Sequence, residues 1–114
     1  MSNAVTKSKV VVDLFDTHGF LLDPDLWDRD MALAIAKQLQ IAELSENHWA
    51  VIDYLRDHYL AHGTIPWKTH VCRTLRLDET CIEQLFGGPV EAWKVAGLPD
   101  PGEEARIYMD NQEI

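Results

Sequence analysis

Cysteine is scarce in this sequence, and the last 33 residues have none. The 114 residues include two cysteines, Cys72 and Cys81, and none follows Cys81 through Ile114. Long apolar runs are missing too: nothing approaches the ~20 residues of a helical membrane span. The N-terminal stretch Met1 to Lys9 has no apolar core of the kind a secretory signal needs. The expected compartment is therefore the cytoplasm, where the two thiols are expected to be reduced rather than bridged. Positive charge is thin, with 10 Lys and Arg against 19 Asp and Glu and a net charge of −9. That balance disfavours non-specific nucleic-acid binding, which depends on neutralising phosphates. There are no internal repeats and no low-complexity segment. No serine or cysteine motif accompanies the five histidines, so no nucleophilic triad is read. His58 and His62 have the spacing of a metal-sharing pair on a helix, but no third ligand stands at a recognisable distance. The expectation is no metal, no cofactor and no small-molecule substrate.

What is present fits one domain of 114 residues, 46% apolar and 25% charged, large enough for a working core with little stability to spare. Residues 1–9 are polar and expected to be flexible, residues 10–99 form the domain, and residues 100–114 form an acidic C-terminal tail. Val10 to Phe15 and Phe20 to Leu22 flank Asp16-Thr17-His18-Gly19, which predicts a β-hairpin. Asp23-Pro24 predicts the start of a first helix with Trp27, Met31, Ala34, Ile35 and Leu39 along its buried stripe. Ser45 predicts the cap of a second helix, running to about His62 with Trp49, Ile52, Leu55, Tyr59 and Leu60 inward and Gly63 at its end. Pro66 opens a third, Trp67 to about Leu75, and Asp78 caps a fourth, Glu79 to Phe86. Phe86 is expected in the core. The fold class is α+β, mainly α: the hairpin packed on a bundle of about five helices, followed by a flexible C-terminal arm.

The stretch that organises the chain is Leu85-Phe86-Gly87-Gly88-Pro89-Val90-Glu91-Ala92-Trp93-Lys94-Val95-Ala96-Gly97-Leu98-Pro99. Two glycines close one helix and Pro89 suits the first position of the next. Ala92, Val95 and Ala96 give this short helix an apolar face, and Gly97 and Pro99 stop it. Phe-x-x-Gly-Pro followed by a short helix and Ala-Gly-Leu-Pro resembles the C-terminal end of the DsrC/TusE sulfur-relay proteins. Gly19-Phe20-Leu21, Asp23-Pro24, Trp27, Leu44-Ser45, His48-Trp49, Leu55-Arg56, Tyr59, Gly63 and Pro66 match in the same order, over roughly residues 10 to 101.

The resemblance implies a cytoplasmic protein that acts with a partner protein of a sulfur-relay or dissimilatory sulfite reductase-type system. It also implies a persulfide on a cysteine next to the end of a mobile arm and, in one branch, a second cysteine in the short helix. This sequence departs at both places. Trp93 stands at the helix position, and Glu103-Glu104-Ala105 stand near the terminal one. A persulfide carrier needs an accessible thiolate, and neither indole nor carboxylate supplies one. The leading expectation is therefore a non-catalytic, protein-binding or regulatory member, with Trp93, Lys94, Glu103 and Glu104 as candidate partner-binding residues. Trp93 has two readings, core filler or aromatic anchor of an interface. A second reading is a sulfur carrier using Cys72 or Cys81, although both sit among apolar residues as structural thiols do. A third is a helix-turn-helix regulator contacting DNA through Lys68, Arg73 and Arg76, which the acidic background opposes. The position at which the family often carries an arginine near its arm is Thr69 here.

Overall fold

The computed structural model describes residues 14–111; of the expected first strand, Val10 to Phe15, residues 10–13 lie outside them. What is described of that unit is one antiparallel bridge, Phe15 to Leu21. The Asp16 carboxylate accepts from the backbone N–H groups of His18 and Phe20 at 2.8 and 3.0 Å and shapes the turn. Gly19 occupies a left-handed conformation there. No strand longer than this bridge occurs among the described residues, so mainly helical is the description that holds.

The expected first helix divides in two. Asp23 caps only a 3₁₀ turn, Pro24–Leu26, and the chain is extended at Trp27. Asp28 then caps α1, Arg29–Gln38, through Met31 N–H. Each Asp side chain offers a local acceptor to a free N–H, and the second cap wins the longer helix. The buried side of α1 is Ala32, Ile35 and Ala36, with Ala34 exposed, because the later start turns the stripe. Helix α2, Glu46–His62, begins at Ser45 with a capping box closed by His48 and ends at left-handed Gly63. Its inward residues are His48, Val51, Ile52 and Leu55, while Leu60 is exposed.

Helices α3, Lys68–Thr74, and α4, Cys81–Phe86, follow. Arg76 takes a left-handed conformation between them, and Asp78 accepts from the Thr80 N–H and hydroxyl. This tight return brings Cys72 and Cys81 to a Cα separation of 5.9 Å, and the two are disulfide-bonded. The expectation of reduced thiols is therefore corrected: the α3–α4 turn sets them at bonding distance, a juxtaposition that their separation in sequence does not reveal. Their structural placement holds, since both are buried. Closing so short a loop removes about 2–3 kcal/mol of unfolded-chain entropy. Urea melts with and without reductant are expected to differ by that amount; coincident curves would show that the bond contributes nothing.

Helix α5, Pro89–Val95, packs on α1, α2, α4 and α6. Helix α6, Glu103–Asp110, ends the described chain with Met109 buried. The expected free arm is thus an ordered helix in its first part. Its sequence carries the reason: Ala105 and Met109 stand one turn apart, and Glu103 and Glu104 suit the positive N-terminal end.

Candidate functional site

Four helices pack around the seven-residue α5 and bury Ala92, Trp93 and Val95. Gly87 is left-handed and Gly88 extended, and together they reverse the chain so that α5 enters the bundle. Ala92, Trp93, Val95 and Ala96 are all buried, and Glu91 and Lys94 keep partial exposure. Trp93 is 1% exposed. Its Nε1–H donates to the Pro99 carbonyl at 2.8 Å, and its ring meets Tyr59 edge-on at 5.4 Å. The anchor reading of Trp93 is therefore corrected. The turn away from Ala92 and Val95 does not lead to solvent, because α2 and α6 lie on that side.

Lys94 reaches outward from α5. Its ammonium sits 5.2 Å from the centroid of the Phe20 ring. Beside it α6 lays down Arg106, whose Nε is 3.1 Å from an Asp100 carboxylate oxygen and whose Nη1 donates to His18 Nδ1 at 3.4 Å. The Nε contact is close in distance but is not aligned as a hydrogen bond. His18, Phe20, Val90, Lys94, Glu103 and Arg106 border an open cleft of about 290 Å³. Of the four sequence-predicted partner residues, Lys94 and Glu103 come together at this cleft. Glu104 is exposed on another face of α6, and Trp93 is in the core. Arg106 and His18 were missed; only the fold of α6 brings them together.

The sulfur atoms stand elsewhere. Cys72 and Cys81 are 0% and 3% exposed and bonded to each other, so neither presents a thiolate in this state. The basic residues of the third expected role do not share a face. Lys68 has a side chain only 14% exposed, paired with Glu83, and lines the interior beside Val71 and Trp93. Arg73 is 3.2 Å from Glu79, and Arg76 is exposed. His58 stacks on Tyr54 and bonds Thr64 at 3.0 Å. Burial, then His62 and His70, hold its imidazole below the usual value. Among the described residues no three side chains of metal-binding type are gathered.

Two buried contacts hold the site to the scaffold. Ser45 N–H donates to His48 Nδ1 at 3.0 Å, so His48 carries its proton on Nε2 and donates to the Leu85 carbonyl at 2.8 Å. Arg56 donates to the Ala96 and Pro24 carbonyls at 2.9 and 3.1 Å and lies 4.2 Å over the Trp27 ring. His48 and Arg56 thus tie Leu85, just before Gly-Gly-Pro, and Ala96, at the start of Ala-Gly-Leu-Pro, to α2.

A short helix framed by Gly-Gly-Pro and Ala-Gly-Leu-Pro, held by these side chains and handing over to a terminal segment, defines a small helical sulfur-relay scaffold. The family described as DsrC-like protein matches residues 8–103. The chain belongs to the DsrC/TusE family. It is similar to a sulfurtransferase TusE homolog of Haemophilus influenzae, 34% identical over 97 residues, 77% of this chain and 88% of that protein. It is also similar to sulfurtransferase TusE of Escherichia coli K12, 32% identical over 95 residues, 75% of this chain and 86% of that protein. Among solved structures it resembles the oxidized γ-subunit of the dissimilatory sulfite reductase (DsrC) of Archaeoglobus fulgidus. The TM-score is 0.69 at 34% identity, over 78% of this chain and 89% of that one. Among the described residues no helix is long and apolar enough to cross a membrane.

Proposed function

We propose that this chain is a non-catalytic, protein-binding member of its sulfur-relay family, one that engages a relay partner without carrying sulfur. The observation that carries the reading is the fate of the sulfur positions. The short helix holds a core tryptophan where the resemblance implies a cysteine. The segment after Pro99 folds as α6, with Met109 2% exposed, and has no thiol. The docking region is the cleft bordered by Lys94, Glu103, Arg106 and His18, where ionic groups ring the apolar surface of Val90 and Ile107. Opposite charges at such a rim set orientation and partner choice more than affinity. The partner is another protein of a sulfur-relay or sulfite reductase-type system, and the setting is the cytoplasm.

The second reading is a sulfur carrier. The sulfurtransferase names of its relatives favour it, and reduction of the Cys72–Cys81 bond would place two thiols side by side. The two readings separate on one experiment. The protein is incubated with polysulfide, with and without prior reduction, and its intact mass is measured. The non-carrier reading expects no addition of about 32 Da, one sulfur atom, in either arm, together with competition against a sulfur-carrying relative for that relative's partner. Stoichiometric addition that disappears in Cys72→Ser or Cys81→Ser would overturn it in favour of the carrier.

A further inference from the structure

We propose that Cys72 and Cys81 form a reversible thiol–disulfide couple, in which Cys81 exchanges with low-molecular-weight disulfides and Cys72 resolves the product. The chain has no other cysteine, and the two are bonded with their Cα atoms 5.9 Å apart. The inference rests on the cytoplasmic setting proposed above. Thiol pools there keep most cysteines reduced, and a bonded pair is characteristically redox-active rather than a permanent staple.

The two sulfurs are not equivalent. Cys72 lies inside α3 beside Val71, and both are 0% exposed. Cys81 is the first residue of α4 and follows a turn whose Arg76, Asp78, Glu79 and Thr80 are exposed. No side chain caps α4. The turn is held by Asp78, which accepts from the Thr80 N–H and hydroxyl at 2.9 and 2.8 Å and, through its carbonyl, from the Cys81 N–H at 2.9 Å. The Arg73–Glu79 pair across it is more than half exposed on both sides. Such surface bonds open locally at less cost than the core. Opening this turn uncovers Cys81 and leaves Cys72 enclosed by α3.

Exchange proceeds by thiolate attack on a disulfide sulfur. In the reduced chain the Cys81 thiolate attacks one sulfur of the small disulfide, whose S–S bond breaks and releases one small thiol. A mixed disulfide remains on Cys81. As the turn recloses, the Cys72 thiolate attacks Cys81 Sγ, forms the Cys72–Cys81 bond and expels the second small thiol. The protein gives up two electrons and two protons, and the small disulfide takes them as two thiols. Excess small thiol drives the reverse. The bond joins α3 to α4, and α4 carries the Leu85 carbonyl that accepts from His48. Oxidation therefore fastens the segment that leads into Gly87-Gly88-Pro89.

The unchanged full chain, reduced and freed of reductant, is pulsed with iodoacetamide below saturation and its peptides are mapped by mass. Cys81 is expected to label faster than Cys72 by about tenfold or more. Urea below the unfolding transition is expected to speed this labelling only weakly, as local opening requires. Treated with glutathione disulfide, the unchanged chain is expected to lose about 2 Da without accumulating an adduct, whereas Cys72→Ser holds about 305 Da, one glutathionyl group, on Cys81. Reduction is expected to speed amide exchange in α4 and the turn before it, with α2 unaltered. Equal labelling of the two cysteines overturns the proposal, as does urea acceleration with the full slope of global unfolding. So does a chain that glutathione disulfide leaves reduced, or amide exchange in α4 that is the same in both states. No partner protein enters these measurements, so their failure leaves the protein-binding reading intact.

Discussion

Replacing Trp93 by alanine is expected to lower stability by about 3–5 kcal/mol, a fall in melting temperature of roughly 12 °C or more for a domain of this size. The ring is enclosed by α2 and α6, so its removal leaves a cavity that the neighbouring helices cannot close without moving Tyr59 or Met109. The lost N–H also leaves the Pro99 carbonyl without its donor at the point where the chain turns toward α6. Trp93→Phe keeps most of the ring and loses that bond, so a cost of about 1–2 kcal/mol is expected. Trp93→Cys, which restores the residue type the family resemblance implies, is expected to melt almost as low as the alanine variant. Its thiol should react slowly with an alkylating agent while the protein is folded. An alanine variant that melts with the unchanged chain would show that the indole is not a core residue. A cysteine variant that alkylates as fast as a free peptide thiol would show that α5 opens to solvent.

Most of the helical order was legible because it rests on local chemistry. Ser45, Gly63, Pro89 and Gly97 are caps and stops whose preference is intrinsic, and they stand where those motifs predict. The resemblance was legible for the same reason: His48 and Arg56 are named by the motifs, and the structure gives each a backbone carbonyl to hold. What the sequence concealed depends on non-local packing. The inward side of α1 shifted because Asp23 and Asp28, both able to cap, stand close together on the same backbone and the later one starts the longer helix. Trp93 was ambiguous because helical periodicity assigns a residue to a face but says nothing of how many faces are covered. Helix α6 was masked by its acidic composition, the single stripe from Ala105 to Met109 being too short to outweigh Glu103, Glu104 and Asp110. The disulfide was concealed by the left-handed turn at Arg76, a residue type that does not announce such a turn. The Arg106–His18 contact joins residues 88 apart in sequence, and no local pattern could connect them.

Gly97→Ala is expected to be the most damaging small substitution at the site, at about 3 kcal/mol or more. Gly97 has φ of +70°, and a methyl group there would lie 2.1 Å from Trp27 Cδ1 and 2.5 Å from its Cγ. The left-handed conformation alone costs a non-glycine residue about 1–2 kcal/mol. The clash adds to it, because the Trp27 ring is not free to retreat. Its Nε1–H donates to the Val95 carbonyl at 2.9 Å, and Arg56 covers its face while donating to the Ala96 carbonyl. Moving the ring therefore breaks a hydrogen bond to the last turn of α5 and uncovers Arg56, each worth about 1 kcal/mol. Trp27→Ala removes the obstruction, so the two substitutions should be non-additive. The double variant is expected to be about 1–2 kcal/mol more stable than the sum of the single effects, with the left-handed strain left as the residual cost of Gly97→Ala. Urea melts of the four proteins give that coupling directly. Full additivity would mean that Trp27 yields freely, and the Ala-Gly-Leu-Pro glycine would then be required for its backbone conformation alone.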